Sequence, residues 1–156
     1  MRNRFVFAML AILSVFMGLQ AADDPMLGSW KLNVGKSKLG SGAAIQAETN
    51  RVESYGGNGI KLTAEITKPD GSKVTESYAG TFDGKEFAVG GDANVDAAYL
   101  KRIDANTMER INKKAGKPTT TMHYVVSKDG KTKTVTITGT TAQGQPVDTV
   151  LVFEKQ

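Results

Sequence analysis

The chain has no cysteine, and only one tryptophan and one histidine among its 156 residues. The first absence excludes disulfide staples, thiolate metal ligands and thiol nucleophiles together. With His123 alone, a zinc site would rest mainly on carboxylates, an unusual ligand set. His123 shares a strand face with Thr121 and Val125, opposite Met122, Tyr124 and Val126, and reads as solvent-facing. There is no Gly-x-Ser-x-Gly elbow to present a serine nucleophile. No Asn-x-Ser/Thr acceptor is present, since Asn106-Thr107-Met108 has the order wrong. No catalytic residue, metal or cofactor is expected.

Charge of one sign is scarce too. The formal net charge is +4, but Arg2 and Arg4 lie in the opening segment, and without them 18 basic residues face 16 acidic ones. Those that remain are interspersed, as in Lys61, Glu65, Lys68, Asp70 and Lys73. A nucleic-acid partner needs a basic stripe, and none is present. Lys113, Lys114 and Lys117 cluster around Gly116 and read as a solvated turn.

There is one long apolar run, from Phe5 to Leu19, interrupted only by Ser14 and Gly18. It follows Met1-Arg2-Asn3-Arg4 and ends at Gln20-Ala21-Ala22, the layout of a secretory signal. A membrane-crossing helix needs roughly 20 apolar residues, so the run is short for a span. The expectation is a signal peptide over 1–21 and a single domain over 22–156, exported to the periplasm or beyond. No membrane anchor is expected after cleavage. A cysteine-free mature chain of about 135 residues can bury roughly two thirds of its unfolded surface and needs no staple. Together with the missing glycosylation acceptor, this fits a bacterial exported protein.

What the sequence does hold is alternation. Ile60, Leu62, Ala64 and Ile66 interleave with Lys61, Thr63, Glu65 and Thr67, a period of two. Pro69-Asp70-Gly71 then supplies a turn, and Val74 to Phe82 forms the next run. Asp83-Gly84, Asp129-Gly130 and Gln143-Gly144 punctuate later runs in the same way. Further runs are Ser29–Val34, Ala47–Tyr55, Lys85–Val89, Ala98–Ile103, Met108–Asn112, Thr119–Ser127, Thr132–Thr140 and Val147–Glu154. The pattern predicts an all-β fold, an antiparallel meander of about eight to ten strands. Gly80-Thr81 and Gly139-Thr140 stand at equal spacing after Asp-Gly turns, which reads as similar hairpins using similar turns.

Two motifs fail on inspection. Gly35-Lys36-Ser37 resembles the end of a phosphate loop, but Trp30 occupies the position of its first glycine. Asp92-Ala93-Asn94-Val95-Asp96 resembles the start of a calcium loop, but Ala97 replaces the turn glycine and Ile103 the bidentate glutamate. Glu76 is more informative: it lies in phase with Val74, Tyr78, Gly80 and Phe82 on the apolar side of its strand. A carboxylate facing inward needs a partner, and Arg110, in phase with Met108 and Asn112, is the candidate.

Gly28-Ser29-Trp30 opens the first strand after the signal, and a glycine, any residue and tryptophan there resembles the signature of the lipocalins and the wider calycin group. The stretch through Leu32 and Asn33 to Lys36-Ser37-Lys38, and the ending Val152-Phe153-Glu154-Lys155, resemble small exported bacterial proteins of lipocalin-like type. The resemblance implies a closed barrel whose one end is capped by Trp30. It implies a small, largely apolar ligand inside, with Tyr78, Phe82, Phe87, Met122 and Tyr124 as lining candidates and Glu76 and Arg110 as polar anchors. Gly28 and Trp30 are then structural. The chain departs from the lipocalin pattern in offering Lys155, not arginine, to pack across the tryptophan. It lacks their disulfides and flanking C-terminal helix, and Val34 to Ala44 is too short and glycine-rich for the helical lid of intracellular relatives. The alternative reading is an envelope interaction protein with a filled core, acting through loops or a sheet edge on an unidentified partner. A cofactor-free carboxylate enzyme ranks below both.

Overall fold

The computed structural model describes residues 24–40 and 45–156. The expected signal over 1–21 lies outside the described residues. Ten strands follow in chain order: β1 (Gly28–Leu32), β2 (Ala47–Ser54), β3 (Gly59–Thr67), β4 (Lys73–Thr81), β5 (Phe87–Gly90), β6 (Ala97–Arg102), β7 (Thr107–Lys114), β8 (Lys117–Val126), β9 (Thr132–Thr140) and β10 (Pro146–Lys155). Each pairs antiparallel with its sequence neighbours, and β1 pairs with β10, so the meander closes into a barrel. The expected all-β, antiparallel, lipocalin-like architecture is what the chain forms. Every alternating run becomes a strand because its inward residues share one buried wall, as Ile60, Leu62 and Ala64 do on β3.

The turns follow from local chemistry. Gly71, Gly130 and Gly144 each have φ between 70° and 81°, and each N–H bonds the carbonyl three residues earlier, on Lys68, Ser127 and Thr141. Only glycine takes that conformation without steric penalty, and the shared construction explains the repeated Asp-Gly spacing. Gly80 and Gly139 differ in cause. A Cβ on Gly80 would stand 2.3 Å from the Phe87 ring, and one on Gly139 would stand 2.4 Å from the Thr119 carbonyl. The first glycine admits a side chain and the second a neighbouring strand.

The interior divides along the barrel axis. At one end Met26, Trp30, Ile60, Leu100, Met108 and Val126 are almost wholly buried and fill the space. The segment before β1 folds across this end, where Met26 accepts a hydrogen bond from Trp30 Nε1 at 3.0 Å. Asp24 pairs with Arg102, whose guanidinium lies 4.2 Å from the centre of the Phe82 ring. Trp30 therefore plugs the barrel. The expected difficulty over Lys155 is resolved by number: Lys155 Nζ lies 5.1 Å and Lys133 Nζ 4.7 Å from the Trp30 ring. Two lysine side chains stand where the lipocalin pattern has one arginine. Between β1 and β2, Val34–Lys36 form a single 3₁₀ turn, and Lys38 pairs with Val150 beside β10.

Candidate functional site

The other half of the interior is a cavity of about 290 Å³, bordered by the inward faces of β2, β3, β4 and β7–β10 and by the loops at that end of the barrel. Leu62, Ile66, Met122, Val135 and Ile137 give it an apolar body. An Asp92–Asp96 loop reaches its rim, and Val95 turns inward and is buried. The calcium-like carboxylates are used otherwise: Asp92 accepts the Asn94 N–H at 2.8 Å, and Asp96 accepts the Ala115 N–H at 2.9 Å.

Two polar links cross this space. Arg110 on β7 donates from Nη1 to Glu76 on β4 at 2.5 Å, and from Nε to Asn112 at 2.7 Å. Asn112 in turn donates to Thr120 at 2.9 Å. On the other side Lys133 of β9 donates to Asn50 of β2 at 2.8 Å, and Asn50 donates to Glu48 at 3.0 Å. Neither link joins neighbouring strands: β5 and β6 lie between the first pair, and β1 and β10 between the second.

Burial sets the electrostatics of these groups. Desolvation works against the Arg110 charge, but the adjacent Glu76 carboxylate, together with Tyr124 and Tyr78, outweighs it and holds the guanidinium protonated. Lys133 has no carboxylate in direct contact, and burial pulls its ammonium down to about 7, with Glu48 opposing and Lys155 reinforcing the shift. Glu48 is pushed upward by the same desolvation, against the Asn50 hydrogen bond and the Lys133 charge. The Tyr78 hydroxyl is buried without a hydrogen-bond partner, and Arg110 stands 4.6 Å from its ring centre. Burial raises both Tyr78 and Tyr124 above the usual phenol value.

The sequence-level candidates separate into two groups. Glu76, Arg110, Met122 and Tyr124 border the cavity. Tyr78, Phe82 and Phe87 point inward but do not border it. Tyr78 stacks on Phe87 with ring centres 5.2 Å apart, so these two form packed wall. Phe82 lies beneath Arg102 at the plugged end, because its strand runs the length of the barrel and only its first half faces the open space. Lys133, Asn50 and Glu48 were not anticipated. Their signal was phase: Lys133 aligns with Val135 and Ile137, and Glu48 and Asn50 align with Val52. His123 stays on the outer face, partly exposed, with Nδ1 3.5 Å from Glu109.

The cavity departs from the filled core that the alternative reading expected. Closure of the ring also leaves no open sheet edge among the described strands for the partner that reading invoked.

Comparison with solved structures bears on the same geometry. The crystal structure of a mutant of the fluorescent protein UnaG superposes with a TM-score of 0.57 at 15% identity, covering 85% of this chain and 96% of that one. The wild-type UnaG structure gives 0.54 at 16%, with 84% and 97% covered. The fold shared with these structures is a closed antiparallel β-barrel. At such identity the likeness concerns the path of the backbone. No protein-family model matches the chain, and no curated protein matches it significantly.

Proposed function

We propose that this chain is an exported, lipocalin-like binding protein that holds a small, largely apolar ligand in the open half of its barrel. The carrying observation is the cavity of about 290 Å³ in the half of the barrel opposite the Trp30 plug. Ligand sites are typically concave, mostly apolar and supplied with a few fixed polar groups, at volumes of about 300–1,000 Å³. This cavity stands at the small end of that range and would hold about ten waters, which favours a compact ligand over a long lipid. Glu76 and Arg110 serve as its polar anchor, and Met122 and Tyr124 as part of its apolar wall. Export is supported by the basic, apolar and small-residue succession over 1–21.

Native mass spectrometry of the protein purified gently from its own host tests this reading. A bound small molecule released only on denaturation is the expected result. Repeated isolation of the bare mass, together with no thermal shift across a panel of compact apolar compounds, counts against it. Fractionation of the same host tests export, and a full-length product retained in the cytoplasm overturns that part.

A further inference from the structure

The cavity holds an amine that its other charged groups do not claim. Lys133 is the one buried lysine among the described residues, and it points inward from β9 in phase with Val135. Its Nζ donates to Asn50 at 2.8 Å, and no described carboxylate touches it. An ammonium has three protons to give, so this contact leaves the nitrogen largely uncommitted. The centres of the Trp30 and Phe153 rings stand 4.7 Å and 5.0 Å from the nitrogen and shield it on the side of the plug. On its other side Lys133 borders the cavity.

The charged groups around it are few. Glu48 on β2 lies beyond Asn50 and accepts from it at 3.0 Å, and Lys155 on β10 adds a like charge. Across the cavity Glu76 and Arg110 are paired with each other, and Tyr124 on β8 keeps its phenol proton. Asp92 and Asp148 complete the acids of the lining. Asp148 pairs with Thr138, toward the opposite end of β9 from Lys133, and Asp92 belongs to the rim loop. Carboxylates at the mouth repel an entering anion and cost a neutral molecule nothing. Burial meanwhile draws the lysine down to about 7, so near neutral pH about half of it is free amine. An exposed lysine, near 10.4, keeps less than about a thousandth of its amine free there.

We propose that Lys133 is a covalent anchor, condensing with the carbonyl group of a neutral aldehyde or ketone whose apolar body fills the cavity. Such an anchor presupposes that the interior is the binding site, and it deepens that reading. The amine adds to the carbonyl carbon, an N–H proton passes to the oxygen, and the C–O bond of the resulting carbinolamine breaks. The second nitrogen proton leaves with that oxygen as water, and a C=N bond remains; no oxidant or reductant enters. Departure of the hydroxyl needs a proton lent and then returned. Glu48, whose carboxyl burial holds protonated further up the pH scale, is linked to the amine through Asn50 and can supply it. A dry pocket favours the product, because an imine reverts by hydrolysis.

Octanal with cyanoborohydride at about pH 7, followed by peptide mapping of the purified protein, tests this, since reduction traps each imine where it formed. Lys133 is expected to be modified at least about tenfold faster than any other lysine, with a half-maximal rate near pH 7. Mapping separates that adduct from any on the α-amino group. Lys133→Met should lose the adduct and keep the slow background. The unreactive octan-1-ol, read by thermal shift, reports occupancy of the cavity independently. A shift with octanol, while octanal labels Lys133 no faster than the exposed lysines, overturns the proposal and leaves the cavity as a binding site. Neither a shift nor a Lys133 adduct brings both down. Where Lys133→Met does not fold, the wild-type map and its pH profile decide the matter.

Discussion

Lys133 is the residue whose burial has the widest consequence. Its ammonium is drawn from 10.5 down to about 7 in the folded chain. Between those values the unfolded chain binds a proton that the folded chain does not, so unfolding takes up a proton and stability rises with pH. The slope is at most about 1.4 kcal/mol per pH unit. Glu48 acts in the opposite sense on the acid side: its raised value makes stability fall as pH rises through it. Tyr78 and Tyr124 oppose the gain only above about pH 10, where unfolded tyrosines ionise. Urea unfolding between about pH 7 and 9.5 should show the rise in the wild type and a flatter profile in Lys133→Met. Equal slopes in the two proteins would show that Lys133 is not the titrating group.

The Arg110–Glu76 pair makes a second residue-scale prediction. Glu76→Gln leaves a buried guanidinium unpaired and should lower stability by about 3–5 kcal/mol. Replacing both partners, as Glu76→Leu with Arg110→Met, should recover most of that loss in the same denaturation experiment. A double variant no more stable than the single one contradicts this account. Glu76 and Arg110 were legible because each interrupts an otherwise apolar phase. Lys133, Asn50 and Glu48 were not, because β2 is polar on both faces and a lone strand lysine reads as solvated. Only closure of the ring brings β2 and β9 within reach of each other.

Among the elements, β5 is the weak member. It is four residues long and shares two register pairs with β4 and two with β6, against nine between β9 and β10. What holds it is the Phe87 ring, seated on Gly80 and stacked on Tyr78. Gly80→Ala should unseat that ring and lower stability by about 1–3 kcal/mol, as overpacking does. Hydrogen exchange should already be faster in β5 than in β9 or β10, and the variant should accelerate it there first. Uniform protection around the barrel would contradict this. All ten strands were visible as alternating runs, since each is half-buried and its turns carry their own chemistry. The division into wall and cavity was not, because Tyr78 and Tyr124 carry the same inward phase. Whether a partner such as Phe87 fills the space beside each depends on the packing of other strands.

At the scale of the whole molecule, a packed half supports an open half. Trp30 sits fully buried in the packed half, so its fluorescence reports the plug, and far-UV circular dichroism reports the strands. With the ring closed through β1 and β10, the two signals should change together on denaturation, as in a two-state domain of this size. Separate transitions would mean that the plug and the sheet come apart independently.

Closure has one more consequence. Trp30 pairs with Lys155, and the Gln156 N–H bonds the Ser29 carbonyl at 3.0 Å, so the opening and closing strands run side by side. The order of strands around the ring then has no mechanical starting point. A circular permutant joining Gln156 to Asp24 through a short linker, and reopened at the exposed Lys128–Asp129 turn, keeps every inter-strand pairing except the hairpin it cuts. In such a rearranged chain the plug would be assembled in mid-synthesis, and the site could be studied with its order of formation reversed.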